Sequence, residues 1–322
     1  MGTADKPGGS VPTGTALLTP SGQAAPKVVE APKGPPFLIR PVSTLDRYLK
    51  LLVYGGYGAG KTRLAGSAVL VPQMRDVLLI DAESGELTLA SIDEPEWGTS
   101  VQDYIDSVRV TTFAQLGRTQ EFLKLHCRYR DEKTPEADAK LKQLEERLMG
   151  DHFDANKPPR RYYTAIVDSL TEVESYSMYQ LLGITDRTRI DEESAEYGWP
   201  EFRRNLNQIQ RMIRAFRDLP MNIIMTAASD YAQDDTKKFV HKPALTGQLA
   251  KKCQGFMDIV GFLAIVNNTD GEEVRRMFVK PSARWDAKCR FSSFRAAYWD
   301  NPTLKSVLTS VGLLDSVVVA KK

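Results

Sequence analysis

From Leu49 onward the chain alternates short, nearly unbroken apolar runs with longer stretches in which apolar residues recur at helical spacing. The runs are Leu49 to Tyr54 (LKLLVY), Val77 to Ile80 (VLLI) followed by Asp81, Ala165 to Val167 (AIV) followed by Asp168, and Asn222 to Thr226 (NIIMT). A strand with one wet face alternates apolar and polar residues. A strand that is apolar at every position is buried on both faces, as in a parallel sheet covered by helices. The alternation therefore predicts an α/β fold with a mainly parallel sheet flanked by helices. After Asp258, DIVGFLAIV, the polar turn NNTDGEE and RRMFVK predict a C-terminal antiparallel hairpin.

The clearest helix is predicted from Pro200 to Leu219. Phe202, Leu206, Ile209, Ile213 and Phe216 line one face, and Arg203, Arg204, Arg211, Arg214 and Arg217 occupy the others. Pro200 suits a first helical turn and Pro220 follows the end. Residues 117–161 carry many charges and finish in KPPRR, which reads as a charged, partly helical insertion projecting from the core. Residues 1–36 are rich in Pro, Gly and Ala and offer too little apolar surface to offset chain entropy, so they read as a disordered tail. The expected organisation is that tail, one core domain over 37–300 and a C-terminal segment over 301–322.

Composition narrows the function classes. Across 322 residues, 43 Lys plus Arg balance 41 Asp plus Glu, for a net charge of +2. This excludes a histone-like polycation, so any nucleic-acid contact must come from a local patch. Cys127, Cys253 and Cys289 lie far apart without a CxxC pair, and only 3 histidines occur, which argues against a disulfide framework or a zinc site. The first residues lack a signal-peptide pattern, Lys6 breaks a myristoylation signal, and no apolar run reaches the roughly 18 residues of a membrane span. The expectation is a cytoplasmic protein with no membrane partner.

Directly after the first run comes Gly55-Gly56-Tyr57-Gly58-Ala59-Gly60-Lys61-Thr62, which satisfies G-x-x-x-x-G-K-[ST] and precedes a helical stretch beginning at Arg63. The glycines let the backbone curl so that successive N–H groups converge on phosphate oxygens. Lys61 supplies a cation for the terminal phosphates, and the Thr62 hydroxyl is a ligand for Mg²⁺. Gly55 to Arg63 therefore form the candidate nucleotide-binding set, with ATP and Mg²⁺ as the expected cofactors. A second metal-supporting oxygen is expected at the end of a neighbouring strand, where Asp168 stands; the alternative is that Asp168 merely caps the next helix. Hydrolysis also needs a group to orient or deprotonate water. Ser169 follows Asp168 where many such ATPases carry Glu, so the candidate base is Glu83 at the end of LLIDAE, with Asp81 structural.

These segments together resemble RecA-fold ATPases, in particular phage-encoded AAA-domain ATP-binding proteins related to RecA and to single-strand annealing recombinases. The resemblance runs from about Leu49 to Phe291 and rests on GGYGAGKT, LLIDAESG, IVDSLTEV, WPEFRRNLNQIQRMIRAFRDLPMNIIMTAAS and KPSARWDAKCRF. It implies a RecA-like P-loop core in which Lys61 and Thr62 bind phosphate and Mg²⁺, Asp168 supports the metal and Glu83 activates water. It also implies self-assembly into a ring or filament, with Lys288 and Arg290 reaching the site of an adjacent subunit. Where the family commonly carries a polar sensor, this chain has Ala227 and Ala228, which leaves Thr226 or Ser229 as sensor candidates. In such proteins the next loop contacts single-stranded DNA. Here it offers Lys237, Lys238, His241 and Lys242 beside Tyr231 and Phe239, but also Asp230, Asp234 and Asp235, so an ordinary charged loop fits equally. The function implied is an Mg²⁺-dependent ATPase that binds single-stranded DNA in phage recombination or replication. The alternatives are an ATP-gated interaction protein without DNA binding and a P-loop kinase acting on a small molecule.

Overall fold

A computed structural model describes residues 48–92, 94–98, 100–185, 187–192, 198–233, 237 and 239–314. The proline-rich stretch 1–36, and Lys238, Asp234 and Asp235 of the candidate DNA loop, lie outside the described residues.

Each apolar run forms a strand: β1 (Lys50–Gly55), β2 (Val77–Asp81), β4 (Thr164–Asp168) and the first half of β5 (Asn222–Gln233). Between β2 and β4 lies β3 (Ile105–Arg109); beyond β5 come β6 (Phe239–Pro243), β7 (Ile259–Asn267), β8 (Glu273–Phe278), β9 (Lys288–Cys289) and β10 (Tyr298–Asp300). The main sheet has the order β10-β8-β7-β1-β5-β4-β2-β3. Strands β7 through β3 in that order run parallel, and β8 and β10 close one edge antiparallel. The mainly parallel sheet and the C-terminal antiparallel hairpin, β7 with β8, are as the pattern predicts. Edge strand β3, IDSVR, escapes sequence reading because it is only half-buried and carries three polar residues in five.

Side chains of β1 alternate between two cores. Leu52 and Tyr54 face one with β5's Ile223 and Met225; Leu51 and Val53 face the other with Ile224. The first core is covered by α4 (Phe113–Glu132), α6 (Leu170–Leu181), α7 (Trp199–Arg217) and α8 (Leu249–Gln254), and the second by α1 (Lys61–Gly66) and α9 (Leu304–Ser310). Two short helices, α2 (Glu86–Ala90) and α3 (Glu94–Trp97), follow β2. The predicted helix appears as α7, with Ile209, Ile213 and Phe216 fully buried and Phe202 and Leu206 nearer the rim. No helix among the described residues is long and apolar enough to cross a membrane.

The charged segment 117–161 is not a projection throughout. Helix α4 packs Leu116, Leu123 and Cys127 into the first core, and only α5 (Pro135–Met149) lies outside it, packed on α4. Its charges mislead because many are satisfied internally. Arg130 is fully buried and donates to the carbonyls of Tyr162 (2.8 Å) and Pro220 (2.7 Å) while pairing with Asp131. Arg160 pairs with Asp76 and Asp106, its amide donates to Glu145 Oε1, and its carbonyl accepts from His126 Nε2 at 3.0 Å. The KPPRR segment is therefore a bracket holding the α4–α5 pair to the start of β4. Likewise the C-terminal segment belongs to the core as far as it is described, since Leu304, Val307 and Leu308 are fully buried and the Leu304 amide donates to Ser67 Oγ.

Around Arg160 two buried groups oppose each other in pH dependence. Burial pushes His126 down from 6.5 to about 4, and its Nδ1 has no hydrogen-bond partner among the described residues, as a neutral imidazole permits. Burial pushes Glu145 up from 4.5 to about 7 against the opposing bond from Arg160. The stability from neutral His126 is present above pH 6.5 and is lost as pH falls through about 4. That from protonated Glu145 is present below 4.5 and is lost as pH rises through about 7. We expect the two to offset in the native protein between those limits. In urea unfolding, Glu145→Gln should make stability fall as the solution is acidified from pH 6.5, and His126→Gln should make it rise on acidification from pH 7. Equal pH slopes in both variants would refute this assignment.

Candidate nucleotide-binding site

The C-terminal ends of β1, β2, β4 and β5 meet at one edge of the sheet, the usual place for ligands in open parallel sheets. At the end of β1 the chain passes so close to β7 that a Cβ on Gly55 would lie 2.2 Å from the carbonyl oxygen of Leu263. Gly58 (φ 74°) and Gly60 (φ 95°) take left-handed conformations, which turn the loop back into α1. Lys61, only 8% exposed, donates from Nζ to the carbonyls of Gly55 (3.2 Å) and Gly56 (3.0 Å). Burial lowers its pKa, and the nearby charges of Glu83 and Asp168 resist that shift.

Asp168 ends β4, 1% exposed, with both carboxylate oxygens occupied. Thr62 Oγ1 donates to Oδ2 at 2.6 Å, and Thr226 Oγ1 donates to Oδ1. Glu83 stands one strand away, its Oε1 accepting from the Ser169 hydroxyl. Its pKa is raised, chiefly by burial and further by Asp168, while Ser169 and Lys61 act the other way. Asp81 is fully buried and shapes the turn, accepting at Oδ1 from the amides of Glu83 (3.1 Å) and Gly85 (2.9 Å). The structure thus brings Lys61, Thr62, Glu83 and Asp168 together. The hydroxyl of Thr62 and the carboxylate of Asp168 are hard oxygen donors, which suit Mg²⁺. Among the described residues no group of three or more His, Cys, Asp and Glu could hold a metal.

The remaining predicted residues are placed differently. Tyr57 projects from the loop, 89% exposed, and Arg63 pairs with Glu96 beside the ring of Trp97. Of the sensor candidates, Thr226 is engaged with Asp168, while Ser229 Oγ lies 3.2 Å from His241 Nδ1 in a hydrogen bond. Lys288 donates to the carbonyls of Gln254 and Met257, both at 2.9 Å, and Arg290 to Gly255 O (2.8 Å) and Asp258 Oδ1 (3.2 Å). The pairing of β9 with the start of β7 puts both at the opposite end of the sheet from this chain's own loop. The candidate DNA loop is a hairpin of β5 and β6. Lys237 is exposed, Lys242 faces Asp230 at 3.7 Å, and His241, with its pKa lowered by burial, stacks between Tyr231 and Phe262.

An aromatic row was missed in the sequence. Phe239, Tyr231, His241, Phe262, Trp285 and Phe278 follow one another with ring centroids 4.2 to 6.0 Å apart. Tyr231, His241, Phe262, Trp285 and Phe278 border a cavity of about 830 Å³ that also touches Gly56, Tyr57 and Ser229. Pairing Phe262 with Phe278 across the predicted β7–β8 hairpin was the available signal; the approach of β6 and Trp285 had none.

The chain matches the AAA domain family over residues 47–291. It belongs to the AAA domain family. This AAA-domain protein has no match among the curated proteins. Among solved structures it is similar to a KaiC-like protein of the hyperthermophilic archaeon Pyrococcus horikoshii, at 12% identity and a TM-score of 0.39, covering 78% of this chain and 84% of that one.

The loop glycines of the AAA-domain protein differ in their tolerance. Gly55→Ala meets backbone that cannot move aside and should lower stability by about 1–3 kcal/mol or more. Gly56→Ala, with nothing within 4 Å of the added methyl, should stay within about 0.5 kcal/mol of the native protein. Denaturant midpoints measure both, and equal shifts would contradict the packing described.

Proposed function

We propose that this protein is an Mg²⁺-dependent ATPase of RecA-like type that binds single-stranded DNA and assembles with copies of itself. The observation that carries the reading is the convergence of Lys61, the Thr62–Asp168 pair and Glu83 on one glycine loop. Loop N–H groups and Lys61 hold the phosphates, with Lys61 exchanging its two backbone carbonyls for phosphate oxygens. Thr62 and Asp168 would hold Mg²⁺, which supplies charge neutralisation at the terminal phosphates. Glu83 accepts a proton from the attacking water, and Ser169 holds its carboxyl in place. Thr226 positions Asp168 and senses phosphate only through it.

Self-assembly and the trans role of Lys288 and Arg290 rest on the resemblance of KPSARWDAKCRF, and Arg290 retains half of its side-chain surface in water. DNA binding is supported by Lys237 and Lys242 next to exposed Tyr231 and Phe239, since cations track phosphates and ring faces stack bases. Recombination or replication of phage DNA is the setting consistent with that resemblance. One observation favours an ATP-gated protein that binds another partner instead: Lys242 is paired with Asp230 and His241 is held neutral, which leaves the hairpin with few free cations among the described residues.

Lys61→Ala should lose ATP binding, measured by titration calorimetry. Glu83→Gln should still bind ATP but hydrolyse it about 10²- to 10⁴-fold more slowly. Because the Glu83 carboxyl titrates above the usual 4.5, native hydrolysis should decline on acidification at a pH above that value, and Glu83→Gln should lack this limb. A Glu83→Gln enzyme with native rate would remove Glu83 from the reaction. For DNA, anisotropy of a labelled single strand should report binding that weakens with salt and drops about tenfold or more in Tyr231→Ala. No binding at low salt would select the partner-gating reading.

A further inference from the structure

A second cavity, of about 980 Å³, opens from the other flank of the loop and is bordered by Gly60, Arg63, Trp97, Arg275 and Asn301. The stem of Arg275, on β8, lies directly on the loop: a Cβ on Gly60 would be 2.8 Å from its Nε and 2.9 Å from its Cδ. Its backbone is clamped by Asn301, whose Oδ1 accepts from the Arg275 amide (3.0 Å) and whose amide donates to the Arg275 carbonyl (2.6 Å). Yet its guanidinium is exposed and has no hydrogen-bond or ion-pair partner among the described residues. Neighbouring arginines are committed. Arg276 grips Asp300 with two bonds over the ring of Tyr298, and Arg63 pairs with Glu96. The cavity beside the loop is thus bordered by an exposed, uncommitted guanidinium lying against Gly60, the residue just before Lys61.

Strand order decides which part of the nucleotide faces it. Glu83 and Asp168 stand on β2 and β4, on one side of β1, and Arg275 stands on β8, on the other. The terminal phosphate belongs with the carboxylates and the metal they support, so the nucleoside end leaves toward the cavity of Arg275. We propose that Arg275 is a nucleotide-positioning residue that takes the α-phosphate from β8. This rests on the P-loop reading above.

The test uses the full chain and measures the affinities of ATP and ADP with Mg²⁺ by calorimetry. Arg275→Ala should weaken both nucleotides equally, by about 10- to 100-fold, the worth of a charge-assisted hydrogen bond. Arg275→Lys should recover part of that loss, and the unliganded melting temperature should not move, since the side chain is exposed and unpaired. Unchanged affinities in Arg275→Ala, with Lys61→Ala still losing ATP, would overturn this inference alone. A loss confined to ATP would also overturn it, because the guanidinium would then act at the terminal phosphate. If the native protein bound neither nucleotide, the P-loop reading would fall and this inference with it.

Discussion

The carboxylate of Asp168 is the point on which the site depends. A charged group 1% exposed at the end of a central strand is tolerated only when its oxygens are hydrogen-bonded. Here one oxygen takes the hydroxyl of Thr62 and the other that of Thr226, so β4, β5 and the start of α1 are tied together at one carboxyl. The same bonds aim Thr62 and Asp168 at a common point. A requirement of folding, the satisfaction of a buried charge, and a requirement of nucleotide chemistry, paired oxygen donors, are met by the same atoms.

That arrangement follows from a sheet buried on both faces. With Leu51 and Val53 in one core and Leu52 and Tyr54 in the other, a polar group along a strand must be paired, as Thr226 is with Asp168, and the carboxylates collect at the strand ends. Asp81, Glu83 and Asp168 lie at or just beyond the C-terminal ends of parallel strands, and Ser229 lies where β5 leaves its parallel pairing with β1. They divide the work by burial. Asp81, fully buried, spends its oxygens on backbone amides, while Glu83 keeps one hydroxyl partner and stays accessible to water. The carboxyl shaping the turn and the carboxyl facing the site stand two residues apart.

The loop is also a junction. Its Gly55 abuts Leu263, Gly60 carries Arg275, and Gly56 and Tyr57 border the aromatic cavity that reaches the β5–β6 hairpin through Ser229 and His241. β7 and β8 supply Leu263, Phe262, Phe278 and Arg275, so this antiparallel pair serves both flanks of the loop. In a close-packed interior a shift of the loop has to be passed to such neighbours. This gives a physical route between the phosphate-facing backbone and the hairpin with Tyr231 and Phe239.

What was legible in the chain alone was whatever local chemistry enforces. Two-faced burial demands continuous apolar runs, so β1, β2, β4 and β5 could be read directly; a phosphate loop demands glycines at set positions followed by Lys and Thr, so residues 55–62 could be read too. Short elements without an unbroken apolar run carry no such signature, as β3 with five residues, β10 with three and α9 with seven show. The charges of 117–161 suggested solvent, although Arg130 and Glu145 are buried, because a charge satisfied by a distant carbonyl or amide looks the same in sequence as a solvated one. The partners that complete the site are far apart in the chain: Thr62 and Asp168 are 106 residues apart, and Asp168 and Thr226 are 58. Arg275 and the aromatic row are separated from the loop still more widely. Residue types and local turns were set by the order of amino acids; which hydroxyl meets which carboxylate, and which arginine lies against the loop, was decided only when strand order brought those ends together.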